Sequence, residues 1–125
     1  MSKRVESFED LNIYAAAFTL QQAIFELSKS WPNEERYSLT DQIRRASRSV
    51  GACLAESWAK RGYVAHFRSK LSDADGELNE TRHWLKTARA CGYLTEAQHR
   101  ALRLECDGVG GQLGRMITEA ETWCR

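Results

Sequence analysis

An all-α fold, an antiparallel up-and-down four-helix bundle, is what this 125-residue sequence predicts, and three observations carry the prediction. Apolar residues recur at three- and four-residue spacing through four segments, the period of a helix with a buried face. Proline occurs once, at Pro32, so little interrupts a helix from within. The breaks between segments are short, which places consecutive helices side by side and antiparallel. The length suits one domain, residues 1–125, around one core. Helices are expected at about 8–30, 38–60, 64–90 and 95–123.

The first helix opens with Ser7 as its N-cap, and Asp10 three residues on completes a short capping box. It carries two apolar stripes, one of Leu11, Tyr14, Ala15, Phe18 and Phe25, the other of Ile13, Ala17, Leu20, Ile24 and Leu27. At about 100° per residue these fall on opposite sides. A helix in a lone bundle needs one such face, and an exposed row of large aliphatic side chains is rare on a monomer. The stripe of Ile13, Ala17, Leu20, Ile24 and Leu27 is therefore expected to lie under a neighbouring subunit of a homo-oligomer.

Pro32 ends the first helix, because proline disfavours helical geometry in the residue before it. Ser38 and Asp41 then offer a cap for the second, whose buried stripe reads Leu39, Ile43, Ala46, Val50, Cys53, Leu54 and Ser57, with Gly62 marking its end. The third has Phe67, Leu71, Ala74, Leu78, Leu85 and Ala88 on one face and ends at Cys91-Gly92. Thr95-Glu96-Ala97-Gln98 is a capping box for the fourth. That helix contains Gly108, Gly110, Gly111 and Gly114; each disfavours the helix by about 1 kcal/mol relative to alanine. They are expected to let another backbone approach closely.

Composition narrows the function. Eighteen basic and seventeen acidic residues leave a net charge of +1, unlike the clearly basic balance of a dedicated non-specific nucleic-acid binder. No run of about 18 apolar residues is present, and the stretch from Met1 to Glu6 lacks the apolar centre of a signal peptide, so a cytoplasmic protein is expected. Cys53, Cys91, Cys106 and Cys124 include no C-x-x-C pair and read as reduced thiols in that compartment, Cys53 as a core filler.

No constellation names a reaction. Glu80-Thr81-Arg82-His83 and Glu96-Ala97-Gln98-His99 repeat the Glu-x-x-His spacing of di-iron bundles, which Glu26 and Glu56 could nominally complete. The two motifs lie at different heights on the hairpin, roughly 10 Å apart at about 1.5 Å rise per residue, and cannot share one metal pair. Cys91, at a helix C-terminus, is disfavoured as a thiolate. No cofactor or metal is expected, and the chain reads as non-enzymatic. Two polar groupings remain. Arg44 and Arg48 share the exposed side of the second helix and Lys60 and Arg61 follow at its end, with Lys86 and Arg89 on the third; arginines so placed can hold phosphates. Gln42, Arg45, Ser49 and Glu56 run along the flank of the second helix, with Glu80 on the third as a distant partner, a half-buried polar stripe expected to set register.

Several blocks together resemble the 23S rRNA intervening-sequence protein family, also called four helix bundle proteins. They are Phe8-Glu9-Asp10-Leu11, Pro32-Asn33-Glu34-Glu35-Arg36-Tyr37-Ser38-Leu39, Gln42-Ile43-Arg44-Arg45-Ala46 with Ser49-Val50, Leu54-Ala55-Glu56-Ser57, Ala74-Asp75-Gly76-Glu77-Leu78-Asn79-Glu80 and Cys91-Gly92-Tyr93-Leu94. The resemblance implies a bacterial four-helix bundle assembled as a homopentamer, without catalytic residues, whose recurring positions fall here on Gln42, Arg45, Ser49, Glu56 and Glu80. Similar bundles serve diversity-generating retroelements as accessory proteins, contacting a reverse transcriptase and nucleic acid. Cys53, Ser57 and Ala59 depart from the family's common residues. Two functions follow as expectations: a homo-oligomeric scaffold that binds RNA or other nucleic acid through Arg44, Arg48, Lys60 and Arg61, or a module that docks a partner protein such as a reverse transcriptase without touching nucleic acid.

Overall fold

The computed structural model describes residues 4–124, so Met1, Ser2 and Lys3 of the N-terminal stretch lie outside the described residues. Four long helices form the bundle: α1 (Asn12–Ser28), α2 (Asp41–Ala59), α3 (Val64–Ala90) and α4 (Glu96–Thr118); a short α5 (Ala120–Trp123) follows. Each long helix packs against its neighbours in sequence, and α1 closes the ring against α4. The fold is the four-helix bundle that the helical periodicity predicts.

The first segment is not one helix. Ser7 and Asp10 form their capping box over a 3-10 turn, Phe8–Asp10, and Leu11 leaves helical geometry (φ −72°, ψ 131°) before α1 begins. The second segment differs too. A π-helical turn, Arg36–Thr40, runs into α2, and Ser38, rather than capping, donates its hydroxyl to a Glu35 carboxylate oxygen at 2.8 Å. The Thr95–Gln98 capping box forms on α4, and Gly92 takes the left-handed conformation (φ 82°) that ends α3.

The core corrects the expected subunit interface. Ile13, Ala17, Leu20 and Ile24 are at most 3% exposed within the single chain, and Leu27 is half-buried against the same core. They face inward because α1 is wedged between α2 and α4, and the aliphatic stripe is the one that fits there. Past Leu11 the other stripe is turned outward and largely aromatic. Leu11 is buried, Tyr14 is half-buried over Gly51, Ala15 is exposed and Phe18 is 45% exposed. Phe25 is covered by cations. Cys53 is likewise half-buried at the α2 edge rather than in the core, while Cys106 is the buried thiol.

Aromatic side chains close both ends. At one, Trp31 lies 5.8 Å from Tyr93, whose hydroxyl donates to Glu35 at 2.9 Å, tying the α1–α2 connection to the α3–α4 hairpin. That bond, after the one from Ser38, holds the Glu35 carboxyl below its ordinary range and pushes the phenol up to about 12. At the other end Trp58 meets Trp123 edge-on at 6.2 Å.

Candidate nucleic-acid interface

Phe25 sits half-buried near the C-terminal end of α1, where the antiparallel α2 begins. Three cations gather about its ring. The Arg44 guanidinium is 4.7 Å from the centroid, Lys29 Nζ 4.8 Å and the Arg48 guanidinium 5.4 Å, all within reach of the ring's negative face. Arg44 is held in place by donating from Nε to Ser28 Oγ at 2.9 Å; that buried hydroxyl donates in turn to the Phe25 carbonyl. Lys29 also meets Glu26 at 3.1 Å, both exposed. Arg44 and Arg48 also line a shallow pocket of about 390 Å³ on α2, together with Asp41, Arg45, Ser49 and Ala52.

The expected basic residues therefore divide. Arg44 and Arg48 come together. Lys60 lies about 18 Å further along α2 than Arg48 and about 120° around it, from about 1.5 Å and 100° per residue. Arg61 stacks on Trp58 at 3.5 Å and donates from Nε to the Trp58 carbonyl. On α3, Lys86 is exposed and Arg89 donates to the Leu94 carbonyl across the hairpin corner. Sequence reasoning missed Phe25 and Lys29 as members of the cluster. Their four-residue spacing on one helix face was the available signal, but Phe25 reads as one more apolar-stripe residue until α2 is placed beside it.

The polar stripe makes the following contacts. Arg45 donates to Gln42 at 3.0 Å, and the Ser49 hydroxyl donates to the Arg45 carbonyl at 2.8 Å. Glu56 pairs with Lys70 of α3 at 2.8 Å, which lowers the Glu56 carboxyl and raises the Lys70 ammonium. Gln42, Ser49 and Glu80 are half-buried, whereas Arg45 and Glu56 are exposed. Glu80 acts on its neighbour Glu77: burial first, then the Glu80 charge and a hydrogen bond with it, push the Glu77 carboxyl up, while Arg45 pulls it down.

The Glu-x-x-His motifs have separate occupations. His83 stacks edge-on with Trp84 and Glu96 bonds Arg100 at 2.9 Å. Burial, followed by the charges of Arg103 and Arg89, lowers the His99 imidazole. Among the described residues no three His, Cys, Asp or Glu side chains converge as metal ligands. Burial raises the Cys53 thiol and pushes Cys106 up to about 11, so both stay protonated near neutrality. A separate cavity of about 380 Å³ at the opposite end of the bundle is lined by Leu11, Ile13, Met116 and Trp123 together with the oppositely charged Arg115 and Glu119.

Fold and site together define an all-α bundle with a concentrated cationic face at one end. The profile of the 23S rRNA-intervening sequence protein family matches residues 9–115, and the chain belongs to that family. A crystal structure of a protein of unknown function from the S23 ribosomal protein family of Bacteroides thetaiotaomicron VPI-5482 is similar at 25% identity, with a TM-score of 0.76 over 85% of this chain and 95% of that one. No curated protein matches the chain. No helix among the described residues is long and apolar enough to cross a membrane.

Proposed function

We propose that this protein is a non-enzymatic, cytoplasmic, homo-oligomeric adaptor that holds the phosphate backbone of RNA, or of another nucleic acid, on the cations around Phe25. The convergence of Lys29, Arg44 and Arg48 on one aromatic ring supports the reading. The ring offsets part of the mutual repulsion of the three charges, and Ser28 fixes the Arg44 fork, so donors stand ready for a phosphate. Arg45, on the rim of the same pocket, extends the cationic surface. Lys60 and Arg61 lie beyond its reach and would contact a longer strand only.

The test is an RNA titration at rising salt. Binding is expected to weaken with a log–log slope of about −0.7 for each phosphate neutralised on a single strand. Arg48→Ala, which removes an exposed side chain, should weaken binding and flatten the slope by about one contact, with helix content unchanged. No binding by the wild type at low salt would overturn the reading. It would favour the other role, a module docking a partner protein such as a reverse transcriptase, to which the net charge of +1 is suited.

A further inference from the structure

We propose that the seam between α3 and α4 holds a phosphate dianion among Lys86 and Arg89 of α3 and His99 and Arg103 of α4, a site separate from the cluster about Phe25. Arg82, Lys86 and Arg89 follow one another at four- and three-residue spacing on the side of α3 that meets α4. Arg82 fixes the register of the two helices. It donates to the Cys106 carbonyl at 3.2 Å and pairs with Asp107 at 3.3 Å. Gly110 leaves it room, since a Cβ there would stand 2.9 Å from Arg82 Nη2. The close approach expected at the α4 glycines is thus made at Gly110, and by a side chain; a Cβ at Gly108 or Gly114 would meet nothing within 4 Å. At about 3.6 residues per turn, Lys86 stands one turn nearer the hairpin, level with Arg103, and Arg89 a turn beyond, level with His99.

Positive charge along this seam is unmatched. Asp107 is taken by Arg82, and Glu96, at the hairpin end of α4, by Arg100. Among the described residues Lys86, Arg89 and Arg103 have no carboxylate partner. Lys86 and Arg89 are exposed and form the rim; His99 and Arg103 are half-buried and form the floor. Two nitrogens of that floor, His99 Nε2 and Arg103 Nε, are shut off from solvent without a hydrogen bond, although buried polar groups are nearly always satisfied. Both have bonding capacity to spare for a ligand. A small turn of the Arg103 guanidinium presents Nε and the terminal nitrogens together, the fork that suits phosphate oxygens.

Charge and acid–base chemistry select the ligand. With Arg82 balanced by Asp107, the full charges of Lys86, Arg89 and Arg103 remain, a surplus that one carboxylate does not match. A phosphomonoester carries about −1.5 to −2 near neutrality and has three strong acceptor oxygens; inorganic phosphate shares that chemistry. Burial, then the charges of Arg103 on its own helix and Arg89 on α3, hold the His99 imidazole below its ordinary range. A dianion in the seam opposes those two charges and favours the imidazolium, so binding should draw a proton onto His99.

The probe is inorganic phosphate, titrated into the full chain against chloride at equal ionic strength, with the imidazole signals of His66, His83 and His99 followed by NMR. Phosphate should raise the proton affinity of His99 about tenfold or more and leave His66 and His83 unmoved. Arg103→Gln should weaken phosphate binding about tenfold, through loss of a hydrogen bond between charged groups, with helix content unchanged. Arg48→Ala, in the other cluster, should bind phosphate as wild type does. RNA with a terminal phosphate that binds more tightly than the same RNA with a terminal hydroxyl, the difference vanishing in Arg103→Gln, would assign the end of a nucleic acid as the source. Equal binding of the two RNAs, beside a His99 response to inorganic phosphate, would assign a small free phosphate. No response at His99, or an equal response at all three histidines, would overturn the site and leave the reading built on Phe25 standing.

Discussion

Phe25 shows how one side chain changes meaning with its neighbours. On α1 alone it is an apolar residue on an outward face; beside α2 it becomes the surface on which Arg44, Arg48 and Lys29 gather. Glu77 is the second residue whose environment sets its behaviour. Groups from both packed helices act on it: burial and Glu80 raise it most, Asp73 adds to the rise, and Arg45 on α2 opposes it. A carboxyl raised on folding favours the folded state while it is protonated, and that advantage is lost as pH rises through its folded titration range. Glu77→Gln keeps the neutral form throughout. It should therefore melt about 1–3 °C above wild type at pH 7, and the gap should narrow steadily as pH falls through the carboxylate range and the Glu77 carboxyl takes up its proton. Thermal melts from pH 7 downward check this; equal midpoints at pH 7 would contradict it.

At the scale of the element, α1 settles which of two apolar faces a bundle uses. Ile24 is 1% exposed among the core side chains. Truncating it leaves a cavity between α1 and its neighbours. Ile24→Ala should lower unfolding stability by about 2–5 kcal/mol in chemical denaturation, at any protein concentration. A variant of wild-type stability but altered copy number would instead place this side chain at a subunit boundary. On the outward stripe Tyr14 lies on Gly51 and Phe25 lies under guanidinium groups, which leaves Phe18 as its exposed large side chain.

Across the whole molecule, one core runs through all four helices, and each end is locked by aromatic contacts between distant segments. Among the described residues no part has a separate core on which to fold. Unfolding in denaturant should accordingly follow one transition, with tryptophan fluorescence and far-ultraviolet circular dichroism giving coincident midpoints. Trp31 and Trp58 report opposite ends of the bundle, so separated midpoints would reveal an end that opens alone. Net charge is the whole-molecule quantity that misleads: a total of +1 describes solubility and steering at a distance, not the cluster of cations about a single ring.

The helical period, the single proline and the two capping boxes determined the class of fold and the order of its helices from sequence alone, because these are local properties of the backbone and its nearest side chains. Membership of the buried stripe on α3, and of that on α2 apart from Cys53, was legible for the same reason: each of those helices has one apolar face. α1 has two, and periodicity cannot rank them. Only the packing of α1 between α2 and α4 decided that Ile13, Ala17, Leu20 and Ile24 turn inward. It also brought Phe25 and Lys29 to Arg44 and Arg48, residues 15 or more positions away in sequence. Contacts between helices depend on rotation and height, which three-dimensional packing sets and a linear pattern does not encode.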